Sequence, residues 1–162
     1  MSLDVVVNCA AWTAVDAAEE QEAQALRVNG TGAANLAAAC AHLVQVSTDY
    51  VFAGDQPGGY AEDDEPAPAN AYGRTKLAGE RAALSLPGTG YVVRTAWLYG
   101  AHGPNFVRTM ITKARAGSPA RVVTDQWGQP TWSLDVAEQI VALIQAGAQP
   151  GSACGAYPVE HR

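Results

Sequence analysis

The sequence predicts an α/β fold built on a parallel sheet. Three observations point to it: short β-branched apolar runs recur along the chain, helix-forming stretches separate them, and small or polar residues gather where the runs stop. Residues 4–8 (DVVVN) form the first run, apolar on both faces like a strand covered from both sides. Residues 19–41 are alanine-rich and helical in composition, with Leu26, Ala33, Leu36 and Ala37 able to share one face. A second strand follows at once over residues 42–47 (HLVQVS). The step from Ala41 into His42 leaves almost no room for a turn, so either the connection is unusually short or residues are missing.

Residues 54–69 carry Pro57, Gly58, Gly59, Pro66 and Pro68, with Glu62, Asp63, Asp64 and Glu65 among them, and read as a long exposed loop. Asn70 is placed to cap a helix that runs to Leu84, where Leu86-Pro87-Gly88 stops it. Residues 91–95 (YVVRT) give another strand, residues 105–116 a helix, residues 120–124 a strand and residues 133–146 a helix rich in Val, Ile and Leu. This alternation implies βαβ units.

The 162 residues have the length of one domain, and 48% hydrophobic with 16% charged residues argues for a packed core over disorder. A net charge of −6, with only ten Lys and Arg spread along the chain, excludes a nucleic-acid surface. Cys9, Cys40 and Cys154 are an odd, widely spaced set, which supports neither a disulfide framework nor a zinc site and is expected to be buried free thiols in a reducing cytosol. His42, His102 and His161 lack metal-ligand spacing, so no bound metal is expected. No signal-peptide pattern or membrane-length apolar window occurs, and a cytoplasmic protein without a membrane partner is expected.

In an open parallel sheet, ligands bind beyond the carboxyl ends of the strands, and Ser47-Thr48-Asp49 stands at such an end. Tyr72 and Lys76 are four residues apart in a helix, which puts both on one face. A tyrosine with a pKa near 10 is a poor proton donor-acceptor at neutral pH until a nearby cation favours its phenolate, and Lys76 is placed to be that cation. The Thr48 hydroxyl can bond the same substrate oxygen as Tyr72 while hydride reaches a carbonyl carbon. A Tyr-x-x-x-Lys alone arises by chance on many solvated helices; its context is what gives it weight.

The strings STDYVFAG, NAYGRTKLAGE, RTAWLYG and DQWGQPT, in this order, resemble the extended short-chain dehydrogenases/reductases, and within them the branch of dTDP-4-dehydrorhamnose reductases, over about residues 3 to 150. The resemblance implies a Rossmann-like, doubly wound parallel sheet and NADPH or NADH as cofactor. It implies Tyr72, Lys76 and Thr48 as catalytic residues, with Tyr72 protonating a sugar C4 oxygen, Lys76 holding the nicotinamide ribose and Thr48 tuning the tyrosine. Thr48, Asp49 and Trp97 match substrate contacts. Ala11, Trp12 and Thr13, in NCAAWT, match a loop lying against the dinucleotide, beside Tyr72 and Lys76. Asp125, Gln126 and Thr131 fit either a shaped loop near the sugar or a structural turn. The implied reaction is reduction of dTDP-4-dehydro-6-deoxy-L-mannose to dTDP-L-rhamnose. A homodimer is also compatible, although Leu134 stands where some relatives carry an acid that binds magnesium between subunits.

Members of that family open with a glycine-rich turn that grips the pyrophosphate. Gly30-Thr31-Gly32 does not supply it, because it lies within a helical stretch instead of following a strand. The expectation is therefore a partial dinucleotide-binding domain over residues 1–150 that lacks the first strands and the glycine-rich loop, with residues 151–162 beginning a missing substrate-binding lobe. Such a chain would expose an apolar sheet edge and be inactive alone. Two other readings stay open: a nucleotide-sugar epimerase or dehydratase of the same superfamily, and a non-catalytic dinucleotide-binding subunit like the regulatory subunit of methionine adenosyltransferase.

Overall fold

A computed structural model describes residues 4–56, 58–124, 126 and 128–147, and the backbone of residues 151–154. Four strands form one sheet in the order β1 (Val6–Asn8), β2 (His42–Thr48), β3 (Thr89–Thr95) and β6 (Gly151–Cys154), and every pairing is parallel. Between them lie α1 (Val15–Glu20), α2 (Glu22–Leu26), a π-helical turn (Arg27–Thr31), α3 (Gly32–Ala39), α4 (Ala71–Leu84), α5 (Phe106–Arg115) and α6 (Ser133–Ala146). A two-residue parallel ladder joins β4 (Leu98–Tyr99) to β5 (Thr131–Trp132).

The sheet is covered on both faces. Leu43 and Val92 pack with Ala37 of α3 and Ala83 of α4, while Val44, Tyr91 and Val93 pack with Val136 and Ile140 of α6. Alternate residues of β2 and β3 thus feed opposite cores, which is why these strands read as continuous apolar runs. The expected doubly wound α/β architecture is the one observed.

Helix α4 begins where its cap requires. The Asn70 side chain accepts from Gly73 N at 2.7 Å, an interaction worth about 1 kcal/mol against alanine. Asn105 caps α5 in the same way, accepting from Arg108 N at 2.9 Å. The abrupt turn into β2 is real and takes two residues. Gly88 allows it, because a Cβ there would lie 1.9 Å from the Ala41 carbonyl oxygen, which instead accepts from Thr89 N at 3.0 Å.

Four expectations are corrected. The single helix over residues 19–41 is divided: Gln21 leaves helical geometry with φ −129°, and a π-turn interrupts the remainder at Arg27–Thr31. The strand expected over residues 120–124 does not form; Val122 and Val123 are exposed and without a strand neighbour, and β propensity without a partner does not make a strand. The edge position beyond β3 is taken instead by Gly151–Cys154, where no strand was expected. Residues 155–162 lie outside the described residues. The thiols also differ from expectation, since Cys9 is exposed and Cys40 half-buried. No described helix is long and apolar enough to cross a membrane.

Candidate active site

The site opens where β1 and β2 part. Their register ends at Asn8↔Gln45, whereas β2 stays paired with β3 to Thr48↔Thr95. Beyond Gln45, β2 loses its neighbour on the β1 side, and a crevice opens at the carboxyl ends of the strands. Helix α4 lies over this gap and sends Lys76 into it. Lys76 is 3% exposed, and its Nζ donates to the Val46 carbonyl at 2.7 Å.

One cavity of about 670 Å³ brings together Thr48, Asp49, Tyr72, Lys76 and Trp97 with Ala11, Thr13 and Cys9. Seven of the eight predicted site residues therefore share a single space. Trp12 is the exception. Its ring packs on the cluster of Ala18, Ala25, Ala71 and Tyr72, and its Nε1 donates to the Ala14 carbonyl at 3.1 Å, so it supports the loop between Ala11 and Thr13 from behind.

The Tyr72 ring meets that of Tyr50 edge-on with centroids 5.7 Å apart, and the Thr48 hydroxyl, which shares the cavity with Tyr72, donates to Asp49 Oδ1 at 2.9 Å. Burial pushes Tyr72 up to about 12, opposed by the Thr48 hydrogen bond and reinforced by the charge of Asp49. Burial likewise pulls Lys76 down to about 8, against the attraction of Glu80 one turn further along α4. The direction at Tyr72 differs from the expectation. Lys76 is engaged with a strand carbonyl, and low-dielectric surroundings keep the phenol protonated in the free chain.

Trp97 holds a left-handed backbone at φ 45° in the turn between β3 and β4. Its ring lies against Gly128, where a Cβ would come within 2.5 Å of Cε2. Trp97 and Leu98 also wall a second cavity of about 660 Å³ with Phe106, Val107, Arg121 and Gln126. Trp97 is thus the partition between two spaces. Gln126 faces the second, Thr131 opens β5, and Asp125 lies outside the described residues.

One residue of the framework was not anticipated. Asn29, 2% exposed in the π-turn, accepts from Trp12 N at 2.8 Å and donates to the Trp12 carbonyl and to Thr75 Oγ1 at 3.1 and 3.0 Å. It fastens the loop after β1 to α4. Gly30 and Gly32 sit in or beside this turn, in helical geometry, and Gly30 packs against Ala78 of α4. Among the described residues no group of His, Cys, Asp and Glu could hold a metal ion.

Sequence and structure comparisons match this arrangement. A dTDP-4-keto-6-deoxy-D-glucose reductase from Streptomyces niveus is 55% identical over 148 residues, which are 88% of this chain and 51% of the relative. A dTDP-4-dehydrorhamnose reductase from Streptomyces griseus is 54% identical over 158 residues, 94% of this chain and 52% of the relative. The crystal structure of a dTDP-4-dehydrorhamnose reductase from Bacillus anthracis in complex with NADP superposes with a TM-score of 0.87 at 42% identity, over 93% of this chain and 55% of that one. The chain spans about half the length of the curated relatives it matches. The family model described as the RmlD substrate binding domain matches residues 1–160, and the chain belongs to that family.

Proposed function

We propose that the protein acts as an NADPH- or NADH-dependent reductase of the C4 ketone of a dTDP-linked 6-deoxyhexulose, converting dTDP-4-dehydro-6-deoxy-L-mannose to dTDP-L-rhamnose. The observation that carries this reading is the convergence of Thr48, Asp49, Tyr72, Lys76 and Trp97 on one cavity at the ends of β2 and β3. Relatives at 54–55% identity are named as reductases of dTDP-linked keto sugars, and one solved relative is described with NADP.

A nicotinamide dinucleotide fits the chemistry of this wall. Cys9, Ala11 and Thr13 are small enough for the backbone after β1 to be approached closely, and Lys76 offers a buried cation beside them. The bound cofactor supplies hydride to the carbonyl carbon. The residues of this chain do the rest. Tyr72, held protonated by burial, gives its hydroxyl proton to the carbonyl oxygen as negative charge develops there, and Thr48 donates to or accepts from the same oxygens to keep them aligned. Lys76, anchored on the Val46 carbonyl, keeps a donor beside the cofactor ribose and offsets the charge left on Tyr72. Asp49 and Trp97 bound the sugar, with Trp97 separating it from the second cavity.

This reading places the enzyme in the cytoplasm, with a nucleotide sugar as partner and neither nucleic acid nor membrane; a homodimer is compatible with it. The test is oxidation of NADPH or NADH by the full-length protein in the presence of the 4-keto nucleotide sugar. Stoichiometric consumption of reduced cofactor supports the reductase. Turnover without net consumption points to an epimerase or dehydratase, and no turnover together with a captured partner enzyme points to a regulatory subunit.

A further inference from the structure

Ser47 is a cavity residue to whose hydroxyl neither the reductase chemistry nor the core assigns a role. It is 4% exposed and lines the cavity that holds Tyr72 and Lys76, and its Oγ has no hydrogen-bond partner among the described residues. Its backbone is firmly placed: Thr95 Oγ1 donates to the Ser47 carbonyl at 3.2 Å, and Lys76 Nζ binds the carbonyl of the preceding residue. Side chains alternate along a strand, so Ser47 shares its face with Leu43, which packs against Ala83 of α4. The hydroxyl therefore lies on the side of β2 that faces α4, the helix from which Lys76 reaches the Val46 carbonyl.

A buried hydroxyl without a partner is an energetic cost to the folded chain, and such groups are rare in native proteins. The cost is removed when a ligand brings a matching polar group. We propose that the Ser47 hydroxyl is a cofactor contact, hydrogen-bonding a ribose hydroxyl of the nicotinamide half of the dinucleotide beside Lys76. This rests on the dinucleotide reading of the cavity. A ribose diol both donates and accepts, which suits a neutral serine hydroxyl next to an ammonium. A phosphate would call for several cations or amide donors, and Lys76 is the only cationic side chain lining this cavity among the described residues.

The test uses the full-length protein and Ser47→Ala. Affinity is measured for NADPH and for 2′,5′-adenosine diphosphate, which lacks the nicotinamide riboside, and the thermal midpoint is measured without ligand. Loss of one neutral hydrogen bond should weaken NADPH by about 3- to 10-fold, leave 2′,5′-adenosine diphosphate unchanged, and leave the ligand-free midpoint equal or higher, because an unpaired buried group has been removed. Unchanged NADPH affinity overturns the proposal, as does equal weakening of both ligands or a midpoint lowered by several degrees. A wild-type protein that binds NADPH but does not reduce the keto sugar would end the reductase reading while leaving the Ser47 measurement intact.

Discussion

Asn29 donates to Thr75 Oγ1 at 3.0 Å, and Thr75 Oγ1 donates to the Tyr72 carbonyl at 2.8 Å. Because the other bonds of Asn29 hold the backbone of Trp12, one buried amide links the loop after β1 to the turn of α4 that carries Tyr72. Replacing it with leucine keeps the branched shape, strands the Trp12 N–H and carbonyl, and removes the donor to Thr75 Oγ1. Asn29→Leu is expected to lower stability by about 2–4 kcal/mol, read from urea unfolding of the full-length protein. A loss below about 0.5 kcal/mol would show that water satisfies these groups.

Arg94 and Glu80 form a second buried link, with Nη2 to Oε2 at 2.8 Å and Nε to Oε1 at 3.1 Å. Arg94 also donates to the Glu62 carbonyl of the long loop and lies over the Phe52 ring. Removing one partner leaves a buried charge, so Arg94→Met should cost about 3–5 kcal/mol, and adding Glu80→Leu to it should recover much of that loss. Chemical denaturation of the two variants decides the point; a double variant no more stable than Arg94→Met alone would contradict it.

Gly128 leaves no room for a side chain beside Trp97. Gly128→Ala is expected to displace the indole and raise KM for the nucleotide sugar at least several-fold, with stability changed by less than about 1 kcal/mol, since Trp97 lies at the cavity wall and neither residue belongs to the core. Steady-state kinetics and a melting curve on the same sample check both halves of this expectation.

Burial lowers Lys76 from 10.5 to about 8. Between these values the unfolded chain holds a proton that the folded chain has lost, so the Lys76 contribution makes stability rise with pH from about 8 towards 10. Tyr72 acts in the opposite sense at higher pH, because its value is raised from 10.0 to about 12 and the folded chain is then the one that keeps the proton. Stability of wild type and Lys76→Met should accordingly diverge in slope between pH 8 and 10, with the variant flatter. Parallel slopes would place the Lys76 titration elsewhere.

The parts of this molecule that were legible in its sequence are those encoded locally. Asn70 before an unbroken helical stretch set the start of α4, and the four-residue spacing put Tyr72 and Lys76 on one face of it. The Asn29 clamp was not legible, because an asparagine in an alanine-rich helix looks like any surface asparagine, and a π-turn has no periodic signature of its own. An Asn-Gly pair within an otherwise alanine-rich stretch was the available hint. The strands went wrong at the sheet edge for a related reason. Val122 and Val123 have the right side chains and no neighbour, whereas Gly151–Cys154 has weak β propensity and is made a strand by pairing with β3. The anchoring of Lys76 on the Val46 carbonyl was not legible either, because spacing fixes which face a lysine occupies and not which carbonyl it will bind.

The central claim is that Tyr72 delivers the proton at a C4 ketone. The most direct measurement is the turnover number for NADPH oxidation by full-length Tyr72→Phe with dTDP-4-dehydro-6-deoxy-L-mannose, alongside its NADPH dissociation constant. A fall in turnover of about 10²- to 10⁴-fold with NADPH affinity kept within a few-fold is the expected result, since the phenyl ring preserves packing against Tyr50 and removes only the acid. Turnover within a few-fold of wild type would contradict it.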